Sequence, residues 1–124
     1  MEERWFAWGA WLGALGVVLG AFGAHGLKTR VSADMLEVWE TGARYHLVHA
    51  LALLATGWAA SRWPGAWVTA AGWLFLLGIV IFSGSLYALS LSGVRALGAI
   101  TPIGGLCLIA GWVCLGMAAV RGPR

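Results

Sequence analysis

The side chains able to do chemistry are few. In 124 residues the chain has three histidines, His25, His46 and His49, five carboxylates, and the cysteines Cys107 and Cys114. His46 and His49 stand three apart, so on a helix they share a face. With His25 they would supply three imidazoles, enough for zinc or copper with an open position. No acidic or thiolate ligand stands at a set spacing beside them. A haem between His25 and a histidine of the pair is the other cofactor geometry, but two histidines on one helix cannot hold both of its faces. The expectation is therefore no cofactor and no metal, with His25, His46 and His49 as the set to test for one. The cysteines lie seven apart, roughly 10 Å along a helix and too far to bond each other; they read as small packing residues. No nucleophile–base–orienter arrangement is present and no carboxylate lies deep in an apolar run, so no enzyme is expected.

The surroundings of these residues are apolar. The composition is 60% hydrophobic and 10% charged, against roughly a quarter charged in ordinary soluble domains. A small domain buries only about 60–70% of the surface its unfolded chain exposes, so the excess must face lipid or partner chains. The charges are also clustered. Trp5 to Leu27, Tyr45 to Ser61, Trp63 to Val94 and Ala96 to Val120 carry no formal charge. A helix needs about 20 apolar residues to cross the hydrocarbon, and three of these runs suffice alone. The second reaches that length if its helix starts before Tyr45.

The expected fold is all-α: an integral membrane four-helix bundle, one transmembrane domain over 1–124, with spans about 5–25, 44–61, 66–91 and 97–120. His25-Gly26 is expected to end the first span, with Gly26 as its cap. Ser32 or Asp34 can cap the next helical stretch, in which Met35, Leu36, Trp39 and Ala43 oppose Asp34, Glu37, Glu40 and Arg44. That pattern fits a short interfacial amphipathic helix before the second span, or the wet start of the span itself. Glu40 and Arg44 are placed for an i,i+4 pair. A cleaved signal peptide would want a basic start and a shorter apolar core; Glu2-Glu3-Arg4 and the length of the first run favour a retained span.

The net charge is +3, but the basic residues sit singly at expected helix ends, as interfacial anchors do, and no nucleic-acid site is expected. Arg4, Arg62, Arg121 and Arg124 fall on the side of the termini, and Lys28, Arg30, Arg44 and Arg95 on the other. Four against four leaves the positive-inside rule undecided. The acidic residues beside the second set point to both termini being cytoplasmic.

Small residues mark the packing seams. Gly9, Gly13, Gly16, Gly20 and Gly23 run down one side of the first helix, and Gly104, Cys107, Gly111, Cys114 and Ala118 repeat the device in the fourth. In lipid, helices associate through such close approach. The strips serve packing within the chain, and that of the first helix is also a candidate for mating with another subunit.

Four alternating spans would gather the unusual polar residues at one membrane face: His25, then Tyr45, His46 and His49, then Ser83, Ser85 and Tyr87, then Thr101 beside Pro102. Polar groups within spans face the bundle interior and are functional candidates by default. In one account they bond one another and the carbonyls at helix ends, since lipid offers no partner. In the other they form a proton, ion or small-ligand site lined by His25, Tyr45, His49, Ser83, Ser85 and Tyr87, where an imidazole would be useful. Pro102 fits the first turn of the fourth helix and Thr101 can cap it.

The pieces G-A-F-G-A-H-G-L at Gly20 to Leu27, W-E-T-G-A-R-Y at Trp39 to Tyr45, H-A-L-A-L-L at His49 to Leu54, F-S-G-S-L-Y at Phe82 to Tyr87 and T-P-I-G-G at Thr101 to Gly105 together resemble the family called domain of unknown function 423. These are small bacterial and mitochondrial membrane proteins related to the vertebrate transmembrane protein 256. The resemblance implies a four-span inner-membrane protein of unassigned activity. In that family the position of His46 is usually glutamine, which leaves His25 and His49 as the shared histidines and weighs against three-histidine ligation. A glutamine would still serve a hydrogen-bond network. The expected function is a non-enzymatic membrane module with a polar pocket, embedded in the lipid bilayer and open to homo-oligomerisation. The alternatives are an accessory subunit of a larger membrane complex and a metal- or haem-carrying protein.

Overall fold

The computed structural model describes residues 2–123 and consists of four long helices joined by short turns; Arg124, one of the expected anchors, lies outside the described residues. Helix α1 spans Glu2–Leu27, α2 Ala33–Arg62, α3 Ala66–Ser92 and α4 Thr101–Arg121, the last preceded by a 3-10 turn at Arg95–Ala99. Two wide π-helical turns interrupt the ladder, Gly23–Leu27 at the end of α1 and Ile79–Ser83 in the middle of α3. Three helical stretches, Glu2–Leu27, Ala66–Ser92 and Arg95–Arg121, are long and apolar enough to cross a membrane.

Three boundaries differ from the sequence expectation. The first helix does not stop at His25-Gly26 but runs on to Leu27, and Gly26 is not among the residues with positive φ, which are Gly65 and Gly93. The amphipathic stretch before Tyr45 is not a separate interfacial helix. It is the opening of α2, one continuous helix of 30 residues, because outward-facing charges do not break a helix whose other face is packed. Ser32 is its cap, accepting from the Met35 N–H at 3.2 Å. Thr101 does not cap α4; its hydroxyl points back to the Leu97 carbonyl and to Ser85. Gly93 closes α3 in the left-handed region, at φ 72°, its N–H donating to the Leu89 carbonyl at 2.8 Å.

The small residues are seats for large ones. On α4, Gly104 and Gly111 lie against Phe82 and Phe75 of α3. A Cβ at Gly111 would stand 2.8 Å from the Phe75 ring. On α1, Gly9 rests on the α2 backbone at Ala50 and Leu54, Gly16 on Leu47 and His46, and Gly23 on the Trp39 ring. The other two glycines of that strip turn away: Gly13 only just reaches the Ala50 Cβ at 4.0 Å, and Gly20 meets nothing within 4 Å. Phe75, Leu53, Val68, Ala71 and Leu108 form the centre of the apolar core, with Trp5 of α1 standing edge-on to Trp73 at 5.4 Å.

Candidate functional site

Helix α2 is the hub of the polar contacts, and each other helix is tied to it. Trp39 donates its indole N–H to the Leu19 carbonyl of α1 at 2.9 Å. Seven residues on, His46 Nε2 stands 2.8 Å from the Leu12 carbonyl, seven residues earlier on α1. A carbonyl only accepts, so Nε2 carries the proton. Both rings reach their carbonyls by lying over a glycine, Gly23 under Trp39 and Gly16 under His46. A side chain at either glycine would hold the ring off. Toward α3, Ser83 Oγ–H donates to the Gly42 carbonyl at 2.7 Å and Ser90 Oγ–H to the Met35 carbonyl at 2.9 Å, again a seven-residue register on both helices.

The other nitrogen of His46, Nδ1, faces the Tyr87 hydroxyl at 2.9 Å. An imidazolium with no counter-charge is costly in an apolar interior, so the ring is neutral and Tyr87 O–H donates to Nδ1. His49 is fixed more tightly. Trp112 of α4 donates its indole N–H to His49 Nε2 at 3.0 Å, and an indole N–H can only donate. Nε2 is therefore an acceptor, and the ring proton sits on Nδ1, donating to the Tyr45 carbonyl at 2.7 Å. The two histidines thus hold opposite tautomers and point to different helices, His46 to α1 and α3, His49 to α4.

Nor do His46 and His49 lie at the helix ends, where the sequence placed them. Their partners lie near the middle of their own helices: Leu12 in α1, Phe75 beside the His49 ring in α3, and Trp112 in α4. His25 is exposed on the terminal wide turn of α1 and does not join His46 and His49. Among the described residues no three His, Cys, Asp or Glu side chains come together to hold a metal ion, so the three-histidine set does not assemble. Ser85 bonds the Phe82 carbonyl at 2.9 Å and Thr101 Oγ1 at 2.6 Å, a hydroxyl chain between α3 and α4. Of the residues expected to line a pocket, Ser83, Ser85 and Tyr87 are spent on helix contacts.

Tyr45 and His49 open instead onto a lateral groove of about 390 Å³ between α2, α3 and α4, completed by Phe82, Gly105, Leu108 and Trp112. Tyr45 is 42% exposed, its ring parallel to His49 within 8° and tilted against Phe82 at 4.8 Å. Its hydroxyl has no hydrogen-bond partner among the described residues. Sequence reasoning missed Trp112 and Trp39 as polar partners, placing Trp39 only on the apolar face of its helix; for Trp112, an indole N–H level with a histidine on a neighbouring helix was the signal available.

An apolar exterior over a hydrogen-bonded polar interior defines a helical membrane protein rather than a water-soluble bundle. The comparisons name the family: residues 19–105 match the model described as Protein of unknown function (DUF423), and the chain belongs to that family. It is 50% identical over 108 residues to the UPF0382 membrane protein YwdK of Bacillus subtilis (strain 168), covering 86% of this chain and 88% of that protein. It is 47% identical over 114 residues to a UPF0382 membrane protein of Staphylococcus epidermidis (strain ATCC 12228 / FDA PCI 1200), covering 89% and 93%. No solved structure matches.

Proposed function

We propose that this protein is a non-enzymatic inner-membrane module of four spans, both termini cytoplasmic, that holds a membrane-dissolved amphipathic molecule in the groove between α2, α3 and α4. The observation that carries the reading is the Tyr45 hydroxyl. Tyr45 lines that groove beside the His49–Trp112 pair, and its hydroxyl has no protein partner among the described residues. A hydroxyl left in hydrocarbon is costly, and an occupant bringing a hydrogen-bond acceptor would satisfy it while its apolar part lies over Phe82 and Leu108. The remaining polar side chains support a fixed frame for such a groove rather than a reacting centre, because His46, Ser83, Ser85 and Tyr87 already bond helix to helix. His25 lies outside this groove and has no part in it.

The test is mass spectrometry of the small molecules that stay with protein purified in mild detergent. The wild type is expected to retain a stoichiometric amphipath that Tyr45→Phe and Trp112→Phe each reduce at least several-fold, while His25→Ala retains it in full. Equal retention in all four proteins would refute the groove. Metal or a visible chromophore that His25→Ala removes would favour the cofactor-carrying alternative instead.

A further inference from the structure

The contacts that tie α2 to its neighbours also fix the level of every residue along it. Leu12 and Leu19 of α1 lie beside His46 and Trp39, Ser83 and Ser90 of α3 beside Gly42 and Met35, and Thr101 of α4 is bonded to Ser85. Glu40 and Arg44 therefore sit near the levels of the outward-facing Val18 of α1 and Ile103 and Leu106 of α4, which are 62%, 57% and 68% exposed, with Glu37 a turn nearer the helix start. Arg44 is roughly 16 Å into α2, close to the middle of the bundle rather than at the helix end where an interfacial anchor belongs. Glu37, Glu40 and Arg44 are all exposed, and with Thr41 they form one stripe on the side of α2 that α1, α3 and α4 leave uncovered. The expected Glu40–Arg44 pair is not formed, and neither residue has an ion-pair partner among the described residues. Charges at this depth belong against other polar groups, not against lipid tails.

We infer that the outer stripe of α2 is an interface with a second copy of this chain, Arg44 of each copy reaching Glu40 of the other. The inference rests on the reading of the chain as a membrane-embedded module. A second copy is the occupant that fits because the stripe is self-complementary. Two copies inserted the same way are related by a twofold axis along the membrane normal, which lays α2 parallel to α2 with like levels adjacent. Each Arg44 then lies one helical turn from an opposite Glu40, giving two symmetric pairs at one depth. Val48 and Leu51 continue the same face as an exposed apolar patch, which packs below the charges. The Tyr45 groove opens on the α4 side of the stripe and stays free.

The experiment is single-molecule photobleaching of the full chain in phosphatidylethanolamine/phosphatidylglycerol vesicles at low protein density. The wild type is expected to bleach in two steps. Glu40→Arg and Arg44→Glu should each lower the dimer fraction at least several-fold, and the exchange Glu40→Arg/Arg44→Glu should restore it. If a charge variant fails to insert, Thr41→Cys in a Cys107→Ala/Cys114→Ala background replaces it: oxidation should cross-link it, whereas Leu106→Cys in the same background should not cross-link. A monomeric wild type, a Thr41→Cys labelled by a water-soluble maleimide as fast as a loop cysteine, or a different membrane protein bound in stoichiometric amount to the stripe would each overturn the inference. Resistance to alkaline extraction, read on the same vesicles, separates the two claims. Extractable protein would sink the membrane-module reading, and resistant monomers would sink the interface alone.

Discussion

His46 offers a sharp test because its two ring nitrogens bond two different helices. His46→Ala removes the bonds to the Leu12 carbonyl and the Tyr87 hydroxyl. Side-chain hydrogen bonds in membrane proteins are worth about 0.6 kcal/mol on average and up to about 1.7, so the pair accounts for about 1–3 kcal/mol. The void left by the imidazole, buried to 2% exposure, adds a packing loss, since large-to-small core changes typically cost about 2–5 kcal/mol in all. His46→Gln keeps a donor for the Leu12 carbonyl and an acceptor for Tyr87 O–H, and should lie within about 1 kcal/mol of the wild type. Reversible unfolding in mixed micelles measures both variants, with Tyr87→Phe completing a cycle: in the His46→Ala background it should cost about 0.5–2 kcal/mol less than in the wild type. If glutamine destabilises as much as alanine, or Tyr87→Phe costs the same in both backgrounds, the clasp does not hold the helices together.

Three further outcomes follow from the packing. Gly9→Ala should destabilise by about 1–3 kcal/mol in the same unfolding assay, because its Cβ would stand 2.8 Å from the Ala50 carbonyl and the Leu54 nitrogen. Gly20→Ala, with nothing within 4 Å, should be neutral or stabilising by up to about 1 kcal/mol, which separates seated glycines from merely small ones. Trp112→Phe keeps an aromatic ring beside His49 but removes its donor, and should cost about 0.6–1.7 kcal/mol, read as a lower midpoint of thermal unfolding.

Much of the fold was legible because in apolar chains charge marks ends and small residues mark seams. The charge-free runs located α1, α3 and α4, and the spacing of Gly104 and Gly111 foreshadowed seats for Phe82 and Phe75. The same logic left the start of α2 open between a separate interfacial helix and the first turns of the span itself. Its charge-free run begins at Tyr45, yet the helix begins at Ala33, because Glu37, Glu40 and Arg44 all point outward and leave the packed face apolar. That displacement carried His46 and His49 from the membrane face to the middle of the bundle and separated His25 from them. The tie between His46 and Leu12 was hidden for a different reason. It depends on the register of two helices remote in sequence, set by Gly16 and Gly23 together with Trp39, and single-helix periodicity holds no such information. Gly13 and Gly20 belong to the same strip in sequence, but only alternate members of it meet α2.

The two buried histidines are neutral joints with fixed and opposite proton positions. The measurement that tests this most directly is the nitrogen NMR spectrum of the histidine side chains, at pH 7 in lipid bilayers, with His46→Gln assigning the signals. His46 should be protonated at Nε2 and His49 at Nδ1, with the His49 Nε2 signal shifted when Trp112→Phe withdraws its donor. Two rings in the same tautomer, a doubly protonated His49, or a His49 spectrum indifferent to Trp112→Phe would contradict that assignment.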